Sequence, residues 1–136
     1  MQSRFETRGD FYYFDFILDD VFSYNSFSNI EVESFPIIHI DQLWLNVVSN
    51  ISSSFSIQIF DTWPIPEDPI ESLNFIGAHF FNDFHKIDEN LFSKDQDVLY
   101  FYETGFTLRG IRIKRLGKTG EQDCMVRLKF ICRKVV

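Results

Sequence analysis

The chain has 136 residues, and we expect residues 1–136 to form one domain with a single buried core. Hydrophobic residues make up 45% of it and aromatic residues 18%, including 17 Phe, which excludes an intrinsically disordered protein. The net charge of -7 is divided unevenly, because residues 1–105 carry a net -14 and residues 106–136 a net +7. A broad anionic surface with one cationic region favours a binding protein, since summed charge steers partners together.

Residues 10–20 fit two structures. The run from Phe11 to Ile17 is rich in aromatic and β-branched side chains, which is typical of a strand. The segment also has apolar residues at the three-four spacing of a helix that Asp10 could cap, namely Phe14, Ile17, Leu18, Val21 and Phe22. We prefer the strand.

The next three segments predict a strand, a helix and a strand. Residues 30–34 and residues 55–61 alternate apolar and polar side chains, as half-buried strands do. Between them, Asp41 fits the N-cap of a helix that ends near Ser52. The apolar stripe of that helix would be Leu43, Trp44, Val47, Val48 and Ile51.

A second helix is predicted over residues 68–84, after a proline-rich connection. Asp68, Pro69 and Glu71 stand where a capping residue, a first-turn proline and a capping-box acid belong. Gly77 within the helix would cost on the order of 1 kcal/mol relative to alanine. The apolar stripe comprises Ile70, Leu73, Ile76, Phe80, Phe81 and Phe84.

The last third of the chain predicts three sequential strands over residues 98–102, 106–116 and 124–134. The connections between them are short and contain glycine, so we expect an antiparallel meander. The predicted fold is therefore α+β, in which an antiparallel sheet with this C-terminal three-stranded meander packs against about two amphipathic helices.

Basic side chains of the last two predicted strands should form one solvent-facing surface, because alternate residues of a strand share a face. In residues 124–134 the opposite face is apolar and contains Val126, Leu128 and Phe130. The predicted basic face consists of Arg112, Lys114, Arg127, Lys129 and Arg133.

Two cysteines, Cys124 and Cys132, lie eight residues apart in the last predicted strand, roughly 26 Å at about 3.3 Å per residue. A disulfide requires Cα atoms within about 7 Å, so we expect two free, buried thiols. The N-terminal residues lack the apolar stretch of a signal peptide, and no run is long enough for a membrane span. We therefore expect a cytoplasmic protein without a membrane partner.

Residues that could carry chemistry are few. A group close in sequence could be read as a metal site: His79, Asp83, His85 and Asp88. In a helix, His79 and Asp83 would lie one turn apart and could hold Zn²⁺, although polar residues at a frayed helix end are the simpler interpretation. His39 beside Asp41 suggests acid–base chemistry, but Asp41 is already needed as a helix cap. Because no nucleophile, phosphate-binding or dinucleotide motif occurs, we predict no enzyme, metal or cofactor.

The acidic part of the chain predicts a surface for a protein partner. Carboxylates around aromatic rings suit a basic partner, because charges set the association rate and rings supply desolvated contact. Trp63 is the candidate anchor, or else it closes the edge of the core. The predicted partner-binding residues are Asp19, Asp20, Glu31, Glu33, Asp61, Trp63, Glu67, Asp68 and Glu71.

The basic face supports another hypothesis, the binding of nucleic acid through phosphate contacts. Few aromatic side chains stand among the basic residues and the net charge is -7, so nucleic acid is the less favoured partner. The basic residues could instead pair with the protein's own carboxylates. A small-molecule site in a Phe-lined cavity is the third alternative.

A small, acidic, aromatic-rich α+β chain without a secretion signal or catalytic motif resembles the immunity proteins of bacterial polymorphic-toxin and contact-dependent inhibition systems. The resemblance is one of profile over the whole chain. It implies a non-enzymatic protein that stays in the producing cell and neutralises a cognate toxin domain, in many such systems a basic nuclease. The basic face departs from a uniformly acidic inhibitor and leaves open a toxin of mixed charge, or a homodimer.

Overall fold

The computed structural model describes residues 2–22, 27–32, 38–50, 53–65, 75–81, 85–88, 91–93, 98–116 and 124–134. Within these ranges the protein consists of β-strands in two antiparallel sheets and contains no helix, so the predicted α+β class is wrong. No membrane-spanning helix is present in this part of the chain. The strands are β1 (Gln2–Arg8), β2 (Phe11–Phe22), β3 (Phe27–Glu31), β4 (Ile38–Ser49), β5 (Ser54–Phe60), β6 (Phe75–Phe81), β7 (His85–Asp88), β8 (Leu91–Ser93), β9 (Val98–Leu108), β10 (Gly110–Leu116) and β11 (Cys124–Lys134).

The larger sheet contains seven strands, and its central part has the order β1-β2-β11-β4. The far side of β4 is divided between two partners: β9 pairs with its first part, from Ile38 to Leu45, and β8 pairs with Val48 and Ser49. The strand β7 then pairs with β8. The smaller sheet has four strands in the order β3-β10-β5-β6.

The core lies between the two sheets. Alternate residues of each strand point to opposite faces, and the buried residues of β2, β4 and β11 follow this period. Buried side chains from both sheets form one hydrophobic cluster, which makes the fold a β-sandwich. Within it, the ring of Phe130 stacks on Phe14 at a centroid distance of 4.4 Å and on Phe16 at 5.6 Å.

The first predicted helix, residues 41–52, is wrong because most of this segment belongs to β4. Leu43, Leu45 and Val47 are buried, whereas the residues between them are only half-buried. The helical stripe was misleading because both faces of β4 carry apolar side chains, including Trp44. Asp41 is not a helix cap; its carboxylate accepts hydrogen bonds from Arg133 on the neighbouring strand.

The second predicted helix is also wrong in the part of it that the structure describes. Residues 75–81 form β6, which pairs with β5 and brings Gly77 opposite Ile59. Glycine disfavours a helix, and the pairing with β5 supplies backbone hydrogen bonds that the helix would have made internally. The predicted capping residues Asp68, Pro69 and Glu71 lie outside the described residues.

The predicted C-terminal meander is wrong in its pairing, although its segments are strands. Two of the three strands belong to the larger sheet, where β9 pairs with β4 and β11 lies between β2 and β4. In the smaller sheet, β10 lies between β3 and β5. The predicted connection at Gly105 lies inside β9, where a positive φ of 73° accompanies a bulge opposite Asp41. The break occurs instead at Arg109, where the chain passes from one sheet to the other.

Several other predictions are confirmed. The segment of residues 10–20 is a strand from residue 11 onward, β2, and the predicted strand over residues 55–61 corresponds to β5. The predicted strand over residues 30–34 agrees with the structure at the end of β3, while residues 33 and 34 lie outside the described part. Cys124 and Cys132 are both buried, and no disulfide joins them.

Candidate functional site

The predicted basic face is divided between the two sheets. Arg112 and Lys114 lie on β10 in the smaller sheet, whereas Arg127, Lys129 and Arg133 lie on β11 in the larger one. Because the two sheets pack through their inner faces, these two groups point to opposite sides of the sandwich. The prediction of one basic surface is therefore wrong, since it depended on the pairing of β10 with β11.

The outer surface of the larger sheet combines aromatic, aliphatic and charged side chains in cross-strand rows. One row contains Tyr13, Ile131 and Trp44, and the next contains Asp15, Lys129 and Asn46. A third row places Ile17 and Val48 on either side of Arg127. We call this surface the seven-strand face and define it by Tyr13, Asp15, Ile17, Trp44, Asn46, Val48, Arg127, Lys129 and Ile131.

Lys129 lies at the centre of the seven-strand face and is exposed. Three open hollows lie on this face, with volumes of about 340, 160 and 430 Å³, and Lys129 lines all three. Tyr13 lines the first hollow and Trp44 the second, while the largest hollow is bordered by the aliphatic side chains of Ile17 and Val48. The cation is therefore surrounded by half-buried apolar side chains.

Two arginines of β11 form ion pairs with carboxylates of their own sheet. Arg127 Nε donates to Asp15 Oδ1 at 2.8 Å, and its Nη2 donates to Oδ2. Arg133 makes the same bidentate contact with Asp41, at 3.0 and 2.5 Å. The expected pairing of basic residues with the protein's own carboxylates is thus confirmed for these two residues.

These contacts change the protonation of the carboxylates. The hydrogen bond from Arg127 lowers the pKa of Asp15, and the positive charges of Arg127, Lys129 and Arg4 act in the same direction against a smaller opposing effect of burial. The hydrogen bond from Arg133 likewise lowers the pKa of Asp41. Both carboxylates are therefore charged at neutral pH.

The outer surface of the smaller sheet has a different chemistry. Arg112 is 8% exposed; its Nε donates to Asn29 Oδ1 at 2.8 Å, and its guanidinium lies 4.4 Å from the centre of the Phe27 ring. Burial lowers the pKa of Arg112. We call this surface the four-strand face and define it by Phe27, Asn29, Ser56, Gln58, Ala78, Phe80, Arg112 and Lys114.

The second arginine of β10, Arg115, points into the core. It lies on the same face of β10 as Ile111 and Ile113 and is fully buried, and its Nε donates to Ser53 Oγ at 3.1 Å. The sequence pattern placed Arg115 on the same face as the two isoleucines, but its positive charge gave no indication of burial.

Trp63 packs against the end of β10. A Cβ atom added to Gly110 would lie 3.1 Å from Trp63 Cε3 and 3.0 Å from the backbone oxygen of Thr62. Glu31 is the cross-strand partner of Gly110, and Asp61 directly follows β5, so the fold brings these three predicted partner-binding residues to one end of the smaller sheet. Asp19 and Asp20 lie on β2. The remaining predicted residues lie outside the described ranges: Glu33, Glu67, Asp68 and Glu71.

The structure separates the residues that suggested enzyme or metal chemistry. His39 Nδ1 lies 3.2 Å from Thr107 Oγ1, whereas Asp41 contacts Arg133. His79 is on a strand, with its ring 5.0 Å from that of Phe81, so the helical spacing to Asp83 no longer applies; Asp83 itself is outside the described residues. No cluster of three potential metal ligands occurs among the described side chains.

Comparisons of the chain with protein-family models, with curated proteins and with solved structures gave no match. The chemistry of the two faces must therefore be inferred from their geometry.

Proposed function

We propose that the protein is a non-enzymatic binding protein of the immunity type, which neutralises a cognate toxin domain by covering it with the seven-strand face. The observation that carries this proposal is the position of Lys129, an exposed cation between the aromatic row of Tyr13 and Trp44 and the aliphatic row of Ile17 and Val48. Tryptophan, tyrosine and basic side chains surrounded by apolar contacts are typical of the residues that dominate protein interfaces.

The charge of the seven-strand face favours a protein over a nucleic acid. Arg127 and Arg133 already donate their guanidinium hydrogen bonds to carboxylates, and Asp15 stands beside Lys129. A phosphate backbone would have to compete with these carboxylates for Arg127 and Arg133. A protein partner with charges of both signs can instead complement each group where it lies.

The shape of the face favours a macromolecule over a small ligand. Small ligands are usually bound in enclosed pockets that cover most of their surface. The three hollows around Lys129 are open, and all three are lined by Lys129, so they suit several side chains of a partner. The toxin would be met in the cytoplasm, a location supported by the reduced state of Cys124 and Cys132.

The proposal is tested by co-expressing the protein with the polypeptide encoded beside it and measuring growth and the Kd of the purified pair. Lys129→Glu should weaken binding by about tenfold or more and abolish protection, because it reverses the central charge. Trp44→Ala should do the same by removing the aromatic contact.

The matched control is Lys134→Glu. Lys134 is on the same strand but lies over the ring of Tyr12, away from the seven-strand face, and its reversal should leave both binding and protection intact. Full protection by the Lys129→Glu and Trp44→Ala variants would contradict the proposal. So would a wild-type protein that fails to bind the neighbouring polypeptide at micromolar concentration.

A further inference from the structure

Cross-strand register arranges the four-strand face in two rows. In the first row Lys114 lies between Phe27 and Ser56, and Ser56 faces Phe80. Both phenylalanines are exposed, Phe27 by 54% and Phe80 by 58%. The second row consists of Asn29, Arg112, Gln58 and Ala78. Two basic side chains therefore stand at the centre of the face, with an exposed aromatic ring at each edge.

Arg112 differs from the arginines of the larger sheet in its counter-charge. Within the described part of the chain its contacts are the amide oxygen of Asn29 and the ring of Phe27, and no carboxylate touches it. Those two contacts hold the guanidinium in place, and burial removes most of its hydration. A fixed, poorly hydrated cation of this kind is suited to bind an anion.

A second polar group lies in the same row. Gln58 is directly opposite Arg112, and its buried Oε1 accepts no hydrogen bond from any residue of the described ranges. A buried acceptor without a donor destabilises the free protein, and a ligand that supplies a donor removes that cost. The chemistry required at this row is thus an anion beside an N–H group.

We propose that the four-strand face is a second binding site, separate from the seven-strand face, which takes an extended acidic segment of a partner polypeptide. A carboxylate of the segment binds Arg112 and Lys114, and apolar side chains contact Phe27 and Phe80. The Gln58 amide turns outward from its buried position to accept a hydrogen bond from a backbone N–H of the segment. A polypeptide supplies carboxylate, N–H and apolar groups within one short segment.

The spacing of the face defines the segment. Phe27 and Phe80 are on the two outer strands, separated by three interstrand gaps of about 4.8 Å, or roughly 14 Å in total. An extended chain covers this distance in about four residues. The segment recognised is therefore an acidic residue with an apolar residue two positions before it and another two positions after it.

A nucleic acid fits this face less well. The four-strand face has two basic side chains, too few to follow a phosphate backbone. The exposed carboxylate of Glu31 lies one row beyond Asn29. One carboxylate can be accommodated beside Arg112, whereas a run of phosphates would extend to Glu31 and be repelled by its negative charge.

The probe for this site is an acetylated and amidated pentapeptide of glutamate flanked by two serines, with leucine at each end. Titrated into ¹⁵N-labelled protein, it should shift the amide resonances of β3 and β10. The same peptide with glutamine in place of glutamate should bind about tenfold more weakly, because it lacks the charge-assisted hydrogen bonds to Arg112.

Two variants test the contributions of Arg112 and Phe80 to peptide binding. Arg112→Gln should weaken binding of the peptide by about tenfold, and Phe80→Ser should weaken it by several-fold. Because Phe80 is exposed, its replacement tests the site even if loss of Arg112 lowers the thermal midpoint. Lys134→Gln removes a positive charge from outside both faces and should leave the affinity unchanged.

Three results would overturn the proposal: equal binding of the glutamine peptide, chemical-shift changes confined to β2 and β11, or unaltered affinity in both the Arg112→Gln and Phe80→Ser variants. A twelve-nucleotide single-stranded DNA serves as the competitor. If it displaced the peptide in an Arg112-dependent manner, the face would bind nucleic acid and the polypeptide assignment would be wrong. These results depend on residues of the four-strand face, so they leave the test of the seven-strand face unaffected.

Discussion

Asp15 and Arg127 lie diagonally across β2 and β11 and are joined by a bidentate hydrogen bond, with Nε 2.8 Å from Oδ1. The residue directly opposite Asp15 is Lys129, not Arg127. The carboxylate therefore turns along the strand to meet the guanidinium. Lys129 remains exposed at the centre of the seven-strand face as a result.

This ion pair predicts a loss of stability in acid. The pKa of Asp15 is lower in the folded protein than the value of about 3.9 expected when unfolded. Its contribution is present above the unfolded pKa and disappears as the pH falls through the folded pKa, when Asp15 becomes protonated. Because Arg127 is 43% exposed, we expect roughly 0.2–1 kcal/mol from the pair.

The measurement is the free energy of unfolding of wild type and Asp15→Asn at pH 6 and pH 2. The variant should be less stable than wild type at pH 6, and the difference should be smaller at pH 2, because protonation of Asp15 removes the charge of the wild-type carboxylate. An equal difference at both pH values would show that the carboxylate charge does not stabilise the fold.

Phe130 should be among the residues whose truncation costs most stability. It is 1% exposed and stacks on Phe14 and Phe16, so Phe130→Ala leaves a cavity between the sheets. We expect a loss of about 3–5 kcal/mol in chemical denaturation. The control is Phe80→Ala, at a position 58% exposed, which should change stability by about 0.5 kcal/mol or less. Similar losses for the two variants would contradict the assignment of Phe130 to the core.

Gly110→Ala should displace the segment that contains Trp63. The added methyl group would lie 3.0 Å from the backbone oxygen of Thr62 and 3.1 Å from the Trp63 ring, which we expect to cost about 1–3 kcal/mol. In a Trp44→Phe background, in which Trp63 is the remaining tryptophan, the emission maximum should move to longer wavelength.

The control for this variant is Gly9→Ala. Gly9 has a φ of 56° and open space around it, so alanine there introduces backbone strain of about 1 kcal/mol without touching Trp63. Its tryptophan emission should equal that of the parent. An unchanged emission spectrum in Gly110→Ala would show that Trp63 does not pack on this glycine.

The two thiols should be unreactive in the native protein. Cys132 is fully buried and burial raises its pKa well above the ordinary value, while Cys124 is 1% exposed. Reaction with a disulfide reagent should therefore be slow in buffer, and two thiols should react at once in guanidinium chloride. Rapid native labelling of either cysteine would mean that the larger sheet opens locally around β11.

Sequence periodicity predicted strands well where one face of a strand is apolar and the other polar. In β11, Val126, Leu128 and Phe130 are buried and the basic residues alternate with them, as predicted. The same reasoning failed for β4, because Trp44 and Val48 add apolar groups to its outer face and produce a spacing that also fits a helix.

The functional surfaces were less accessible to prediction because they depend on distant pairings. Arg127 meets Asp15 across 112 residues of sequence, and Arg112 meets Asn29 across 83. The alternation of β10 and β11 correctly gave the faces of their basic side chains. It contained no information on which sheet each strand would join, so two opposite surfaces were predicted as one.

The central position of β11 has a consequence for biosynthesis. Residues 124–134 are translated after β2 and β4, yet they fill the gap between those two strands. Until they emerge, the nascent chain presents two unpaired strand edges with their apolar side chains uncovered. Completion of the larger sheet must then wait for β11, and the incomplete chain is exposed to mispairing and aggregation during that interval.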